Sequence, residues 1–292
     1  MKTIGLIGCG VMGAGIARNL LSNSYRVFIR DPECRNQKAL EALGAQFVPD
    51  FGECTENMEA IFLSLPTPSI LGNVLSGENG LFASLNPGTL VFDVGTTDTE
   101  TTKRLQKEAQ TYGVHFLDCP VSGGPAGADA GTLTIMVGGE KEAYLAALPY
   151  LEVVGSTIRY IGSSGAGQTV KLCNNMIVAG VISLLSETMV IAEEQGVDAD
   201  TLFSILEASS GHTRAMEVFG ANLKAQSFDN ILFSLAHMAK DLELFMKLSN
   251  QSHTPQPVSS IVTQLYRMAL QQKKAKMDST AVYAMIENHV ER

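Results

Sequence analysis

A predicted β-strand that runs directly into a glycine motif is the feature that most constrains the fold of this chain. The run KTIGLIG is followed by GCGVMG, in which Gly8, Gly10 and Gly13 have the G-x-G-x-x-G spacing, and then by the helical pattern AGIARNLL. Glycines at these positions allow a tight turn that brings backbone amides and a helix N-terminus close to a pyrophosphate. A dinucleotide site is therefore predicted. Its residues are Gly8, Gly10, Val11, Met12 and Gly13.

The first half of the chain alternates strand and helix patterns. Up to residue 162 the strand-type runs are KTIGLIG, YRVFIR, AIFLSL, TLVFDV, VHFLD, LTIMVGG and TIRYIG. Helical patterns occupy several of the intervals between them, and this alternation is typical of βαβ units with a mostly parallel sheet. Residues 1–162 are thus predicted to form a Rossmann-type, doubly wound α/β domain.

The second half has only helical patterns. After GSSGAG the strand signals end, and LFSLAHMAKDLELFMKL and VSSIVTQLYRMALQQKKA are the clearest amphipathic cases. Small residues near Ser163 separate the two kinds of periodicity. An all-helical C-terminal domain is expected over 163–292.

Charge and hydropathy argue against several partners. A net charge of -9 and a pI near 5.1 leave no basic excess for nucleic acid, and an acidic surface repels anionic membranes. The longest apolar run reaches only about Leu185, short of the roughly 18 residues of a membrane span. The apolar N-terminus leads into the glycine motif rather than a cleavage site, so a cytoplasmic protein is predicted.

Neither a disulfide framework nor a metal site is expected. The 5 cysteines and 5 histidines are scattered, with no C-x-x-C pair and no H-E-x-x-H motif. The cysteines (Cys9, Cys34, Cys54, Cys119 and Cys173) are predicted to be reduced thiols.

The residue after the second predicted strand bears on the choice of cofactor. Asp31 lies 18 residues after Gly13, where a carboxylate can bind the adenosine ribose hydroxyls and repel a 2′-phosphate. This favours NAD over NADP. Arg30 and Arg35 are close enough in sequence to pair with a 2′-phosphate, and Asp31 also fits an Asp-Pro turn, so NADP remains an alternative.

Two further loops follow predicted strands. LSLPTPS and DVGTT stand where an open α/β sheet binds ligands, at the carboxyl ends of its strands. Leu65, Pro66 and Thr96 are therefore candidates to line the cofactor, although each residue type is also common in ordinary loops.

Four blocks in order carry a resemblance over nearly the whole chain. GLIGCGVMG, DCPVSGGPAGADAGTLTIMVGG, GAGQTVKLCNN and KDLELFMKL together resemble the β-hydroxyacid dehydrogenase family. The resemblance implies a Rossmann domain, a helical domain begun by one long helix and used for substrate binding and dimerisation, a substrate cleft between the two domains, and assembly as a homodimer or homotetramer. It also implies hydride transfer between a nicotinamide cofactor and a small 3-hydroxy acid or its semialdehyde, of the 3-hydroxyisobutyrate or 2-hydroxy-3-oxopropionate type.

The same resemblance assigns roles to residues. The family lysine falls on Lys171 as catalytic acid/base, and the family's second asparagine falls on Asn175, which orients the substrate. The residues that would bind the substrate carboxylate are Ser122, Gly123 and Gly124, with Thr96 beside the substrate. The lysine of the K-D-L block falls on Lys240, near the cofactor. Where NADP-using relatives look like N-R-T, this chain has DPE, which favours NAD.

The chain departs from the family pattern at two positions. Relatives commonly have S-T where this chain has Gly95 and Thr96, and the alanine usual before PVSGG is Cys119 here. These changes affect none of the residues with an implied chemical role. They indicate that the substrate pocket differs in shape from that of the relatives.

The segment that contains Lys171 is apolar on every side of a helix from Val170 onward. Lys171 and Asn175 are four residues apart, so their side chains face the same way. Burying an ammonium group is costly and tends to bring the pKa of a lysine toward neutrality, which suits proton exchange near pH 7. The alternative is a lysine with its stem on the core and its ammonium in water.

Ser122 and Lys240 also have plainer interpretations. The PVSGGPAG segment could be an ordinary turn, although its glycines permit exposed amides that bind an anion. Lys240 projects away from the apolar stripe of its predicted helix, which usually means a solvated charge. That stripe contains Leu235, Met238, Ala239, Leu242, Phe245 and Met246.

Two rival functions remain at this stage. The first is an NADPH-dependent reductase of glyoxylate or succinic semialdehyde, which differs in cofactor preference. The second is a non-catalytic dinucleotide-sensing protein, against which the lysine, asparagine and serine set argues. Imine reductases usually lack the lysine, and sugar-phosphate relatives are much longer.

Overall fold

The computed structural model describes residues 2–33, 36–51 and 58–287. The chain divides into two compact units, Met1–Lys171 and Leu172–Arg292.

The strands of the first unit form one sheet. They are β1 (Thr3–Ile7), β2 (Arg26–Arg30), β3 (Gln46–Phe47), β4 (Met58–Leu63), β5 (Leu90–Asp93), β6 (His115–Asp118), β7 (Val121–Ser122), β8 (Leu133–Gly138) and β9 (Gly155–Gly162). The sheet order is β3-β2-β1-β4-β5-β6-β8-β7, with β9 on β8. Strands β1 to β6 pair in parallel, whereas β8 is antiparallel to β6 and β7. This order confirms the predicted doubly wound sheet.

Helices cover both faces of this sheet. They are α1 (Val11–Ser22), α2 (Gln37–Glu41), α3 (Pro68–Leu75), α4 (Leu81–Ser84), α5 (Thr99–Thr111), α6 (Gly124–Ala130) and α7 (Lys141–Leu151). Ile4 and Leu6 of β1 face the cluster with α1, α6 and α7, whereas Ile7 faces the cluster with α3, α4 and α5. Successive side chains of a strand point to opposite faces, so strands buried on both sides are apolar throughout.

The regular elements of the second unit are all helices over its described residues, as predicted, apart from an isolated β-bridge between Ser234 and Asp278. Helix α8 (Ala166–Glu194) crosses from the first unit, and the others are α9 (Ala199–Glu207), α10 (Arg214–Lys224), α11 (Leu235–Gln251), α12 (Pro257–Gln271), a 3₁₀ turn (Ser279–Val282) and α13 (Tyr283–Glu287). The predicted stripe of α11 lies in the core, where Met238 and Leu242 contact a cluster that includes Ile182 and Tyr266.

Helix α8 continues past Leu185, where the apolar run ends. Two serines near that point bond to carbonyls one turn earlier, Ser183 to Ala179 at 2.9 Å and Ser186 to Ile182 at 2.8 Å, so their hydroxyl groups are satisfied inside the helix. Among the described residues it is long and apolar enough to cross a membrane by length and composition, and 50% of its most apolar window is buried inside the protein. The expectation that this segment is too short was therefore wrong. Core helices pass the same test, and α8 places Ala179 and Ile182 in the helical core.

Candidate active site

The glycine turn between β1 and α1 is tightly packed at two positions and open at a third. Gly8 has φ +88°, and a Cβ there would lie 2.2 Å from the Ser64 carbonyl oxygen. A Cβ on Gly13 would lie 2.0 Å from the Gly8 carbonyl oxygen, whereas one on Gly10 would meet nothing within 4 Å. The turn thus leaves open space at Gly10 and at the exposed Val11, beside the helix N-terminus. This arrangement fits a bound pyrophosphate.

Asp31 follows β2, and its side chain bonds to the backbone of the glycine turn. Its carboxylate accepts hydrogen bonds from the backbone N–H of Cys9 and, at 2.7 Å, from that of Glu33. Arg30 donates from Nε to the Pro49 carbonyl at 3.2 Å. Arg35, the other candidate for a 2′-phosphate, lies outside the described residues, as do Cys34 and Cys54. The position of Asp31 fits a role in binding ribose hydroxyl groups next to the glycine turn.

The loops after β4 and β5 lie against each other. A Cβ on Gly95 would be 2.9 Å from the Leu65 carbonyl oxygen and 3.1 Å from Asp93 Oδ1. The glycine that stands for the usual serine therefore allows a close approach of the two loops. Leu65 and Thr96 are partly buried, and Pro66 is exposed.

Ser122 lies in β7 and is followed by two glycines with positive φ. Ser122 pairs with Thr134 of β8, and Gly123 and Gly124 have φ +132° and φ +60°. This backbone favours glycine at both positions. Cys119, just before this segment, is buried in the core cluster, and burial raises the pKa of its thiol. The replacement of the usual alanine by Cys119 therefore changes the packing of the core.

Lys171 lies in the second turn of α8, and only 8% of it is exposed. The start of this helix is capped by the buried Asp118 carboxylate, which accepts from Gly165 N at 2.8 Å and from Gln168 N at 3.0 Å. Burial raises the pKa of Asp118, and the backbone hydrogen bonds oppose that shift. The observed burial agrees with the apolar surroundings that the sequence indicates.

The Gln168 side chain connects this helix to the loop that contains Thr96. Its Oε1 accepts from Thr97 N at 3.0 Å, and its Nε2 donates to the Gly95 carbonyl at 3.0 Å and to Asp93 Oδ2 at 3.3 Å. Asp93 and Asp118 are register partners at the ends of β5 and β6. Sequence reasoning did not single out Asp93, Asp118 or Gln168 as site residues, although an aspartate at the end of two successive apolar strands is a usable signal.

In the second unit, Asn175 and Lys240 share one buried carboxylate. Asn175 Nδ2 donates to Asp241 Oδ2 at 2.6 Å, and Lys240 Nζ lies 2.8 Å from Asp241 Oδ1. Asn174 Nδ2 donates to Asn175 Oδ1 at 3.1 Å. The Lys240 side chain is 22% exposed, so it is not the fully solvated charge that its helical position alone indicates.

The predicted residues thus fall into two sets. The first unit holds the glycine turn, Asp31, Leu65, Pro66, Thr96, Ser122, Gly123, Gly124 and Lys171, and the second holds Asn175 and Lys240. No group of three or more His, Cys, Asp or Glu that could hold a metal ion occurs in the described part of the chain.

Known families match both parts of the chain. Residues 3–162 match the NAD binding domain of 6-phosphogluconate dehydrogenase, and residues 165–286 match the NAD-binding domain of NADP-dependent 3-hydroxyisobutyrate dehydrogenase.

Individual relatives match over nearly their full length. The chain is 34% identical to NAD-dependent L-serine dehydrogenase of Pseudomonas aeruginosa, covering 98% of each protein. It is also 34% identical to mitochondrial 3-hydroxyisobutyrate dehydrogenase of Mus musculus, over 96% of this chain and 85% of the relative. The structure of Mycobacterium tuberculosis 3-hydroxyisobutyrate dehydrogenase with L-serine superposes with a TM-score of 0.88, at 28% identity over 98% of this chain and 99% of that one. The chain therefore belongs to the β-hydroxyacid dehydrogenase family and is an NAD(P)-dependent oxidoreductase that acts on the CH–OH group of hydroxy acids.

Proposed function

We propose that this enzyme interconverts a small, unphosphorylated 3-hydroxy acid and its semialdehyde with NAD, and that Lys171 is the acid/base group. The observation that carries the proposal is the burial of Lys171 in the second turn of an apolar helix whose start is capped by Asp118. A buried lysine needs a functional or structural reason, because removing an ammonium group from water is costly.

The cofactor end of the site is formed by residues of the first unit. The amides at the Gly8–Gly13 turn would hold the pyrophosphate, and Asp31 would bind the adenosine ribose hydroxyl groups. NAD supplies the hydride acceptor for the oxidation when it is bound. Asp31 supports NAD as the preferred dinucleotide because its negative charge disfavours a 2′-phosphate.

The substrate end is assigned to the loop of Ser122, Gly123 and Gly124. A hydroxyl group and glycine backbone with positive φ can present donors to a single carboxylate. Lys171 would accept the hydroxyl proton during oxidation and return it during reduction. Asn175, whose amide is fixed by Asp241, would orient the substrate.

The test is steady-state kinetics with both cofactors. Substrates are 3-hydroxyisobutyrate, glycerate, serine and threonate, with the matching semialdehydes. Turnover of at least one hydroxy acid with NAD, and loss of that turnover for its methyl ester, are expected. Binding of cofactor without turnover of any substrate would support a sensing protein, and a preference for NADPH with semialdehydes would support the reductase.

A cytoplasmic location and assembly into a homodimer or homotetramer complete the proposal. Support for assembly comes from helix α8, where Ile177, Leu184 and Ile191 recur every seven residues and are exposed. Such a stripe can pair with a second copy. Light scattering after size exclusion should give a dimer or tetramer mass, and Leu184→Glu should shift that mass toward the monomer.

A further inference from the structure

The Gln168 side chain bonds to both residues that flank Thr96. Gln168 is fully buried, and its amide accepts from the Thr97 N–H and donates to the Gly95 carbonyl, each at 3.0 Å. Both ends of the carboxamide are thereby used on the backbone of one three-residue segment. The loop from Gly95 to Thr97 is thus connected to α8 by two hydrogen bonds from one side chain.

Asp93 extends this connection. Its Oδ1 accepts from Gly95 N at 3.0 Å, and its Oδ2 accepts from Thr97 Oγ1 at 3.0 Å and from Gln168 Nε2 at 3.3 Å. The carboxylate is 1% exposed and ends β5. The loop is therefore held from the sheet by Asp93 and from the helix by Gln168.

The backbone of Gln168 is also hydrogen-bonded to a strand-end aspartate. The N–H of Gln168 donates to Asp118 Oδ2 at 3.0 Å, and Gly165 N donates to Asp118 Oδ1 at 2.8 Å. Lys171 follows Gln168 by three residues in this helix. Gln168 thus connects the Thr96 loop to the helical turn that contains Lys171. Its side chain bonds to Asp93 and its backbone to Asp118, the aspartates that end β5 and β6.

We propose that Gln168 is a positioning residue for the dehydrogenase reaction: its carboxamide holds the Thr96 loop at a fixed separation from Lys171. The proposal rests on the function proposed above, in which Thr96 lines the site and Lys171 transfers the proton. Gln168 acts through these two residues and does not touch the reacting atoms. Small displacements of reacting groups have large effects on rate, so a change in the position of the Thr96 loop relative to Lys171 should slow the reaction.

The test compares Gln168→Leu with Thr169→Val as a matched control. Leucine has a similar volume and removes both loop hydrogen bonds. Thr169→Val removes one hydrogen bond from the same helical turn, the 2.9 Å bond from Thr169 Oγ1 to the Gly165 carbonyl, and leaves the Thr96 loop untouched. Turnover is expressed per NADH-binding site, counted by fluorescence titration, so that unfolded protein does not contribute to the difference.

Gln168→Leu should lower kcat per NADH-binding site by about 10- to 100-fold. The KM for the hydroxy acid and the Kd for NADH should stay within about threefold, because Ser122, Asp31 and the glycine turn are unchanged. Hydrogen exchange at the Thr97 amide should become faster, because that amide loses its acceptor. Thr169→Val should retain kcat within about twofold.

Gln168→Asn provides a milder variant if Gln168→Leu does not fold. It keeps a buried carboxamide but shortens the side chain by one methylene group, so the amide no longer reaches both Gly95 and Thr97. It should lower kcat per site by a smaller factor than Gln168→Leu. A folded Gln168→Leu with parental kcat per site would overturn the proposal. So would a folded Gln168→Asn with parental kcat per site where Gln168→Leu does not fold. Failure of the parent to turn over any hydroxy acid would instead reject the function on which the proposal rests.

Discussion

The amide of Asn175 donates a 2.6 Å hydrogen bond to the carboxylate of Asp241, and Lys240 pairs with the other oxygen of the same carboxylate. Asp241 is 1% exposed, and its buried carboxylate is paired with the Lys240 ammonium and hydrogen-bonded by the Asn175 amide. The carboxylate also determines which way the asparagine amide points. Two residues that the family pattern places in the site are thus linked through a third.

Asp241→Asn should lower kcat/KM for the hydroxy acid by about 10- to 100-fold. A hydrogen bond to a charged group contributes about 1.5–3 kcal/mol, and the substitution removes the Lys240–Asp241 ion pair and weakens the bond that orients Asn175. Steady-state kinetics check this expectation. Glu243→Gln, on the same helix, is the control: it removes an exposed ion pair with Arg267 and should change kcat/KM by less than twofold. Equal effects of the two substitutions would show that Asp241 has no specific role in orienting Asn175 and Lys240.

Asp31→Asn should reduce the preference for NAD over NADP by about 10- to 100-fold, as measured by the ratio of kcat/KM values. The substitution keeps the shape of the side chain and removes the negative charge that disfavours a 2′-phosphate, a difference of roughly 1–3 kcal/mol.

The control for Asp31→Asn is Glu33→Gln, which removes an exposed negative charge two residues away. It should leave the cofactor ratio within about twofold. If the Asp31 variant has the parental ratio, the carboxylate serves only its hydrogen bonds to Cys9 and Glu33.

The parallel strands and the helical second half could be predicted because they depend on local patterns. A strand segment buried on both faces is apolar residue after residue, as in the last four residues of β4, and an amphipathic helix repeats its apolar residues every three to four positions, as in α11. Strands β3 and β7 were missed, because two residues are too few for any periodicity. The apolar run that ends near Leu185 underestimates the extent of α8, since Ser183 and Ser186 look polar in sequence but their hydroxyl groups bond within the helix.

The candidate site was predictable only where its residues belong to sequence motifs. The glycine turn and Asp31 are spaced by one βαβ unit, which fixes their proximity. The partner of Asn175 is 66 residues away and that of Gln168 is 75 residues away, so no local spacing relates them. Such pairs depend on how strands and helices assemble, and a single sequence contains no direct signal for them.

Two helix-capping carboxylates should have opposite effects on the pH dependence of stability. Burial raises the pKa of Asp118 above 3.8, so the folded state holds this proton more tightly than the unfolded chain does. Its contribution to the free energy of unfolding therefore falls as pH rises from about 3.8 through the folded-state pKa. Hydrogen bonds from Thr201 lower the pKa of Asp198, whose contribution is complete above about 3.8 and is lost as pH falls through the lower folded-state pKa.

Urea unfolding of Asp118→Asn and Asp198→Asn beside the parent, between about pH 3 and pH 7, measures this difference. The parent minus Asp118→Asn difference should decrease with rising pH, and the parent minus Asp198→Asn difference should increase. Parallel curves for Asp118→Asn and the parent would mean that Asp118 has an ordinary pKa in the folded protein.

Lys171→Ala should lower kcat by about 10²- to 10⁴-fold, the usual contribution of a positioned acid or base. The Kd for NADH should change by less than about threefold, because the glycine turn and Asp31 are retained. Lys171→Arg should not restore activity, since a guanidinium keeps the charge but does not release its proton at working pH. Asn175→Ala should lower kcat less than Lys171→Ala does, and the double variant should be little worse than Lys171→Ala alone, because the two residues act on one proton transfer.

Lys107→Ala, which removes an exposed lysine of α5, is the control for a general loss of charge. The pH profile of kcat decides the matter: a Lys171→Ala enzyme within about threefold of the parent, with the same profile, would mean that the lysine is buried only by its stem and does not transfer the proton.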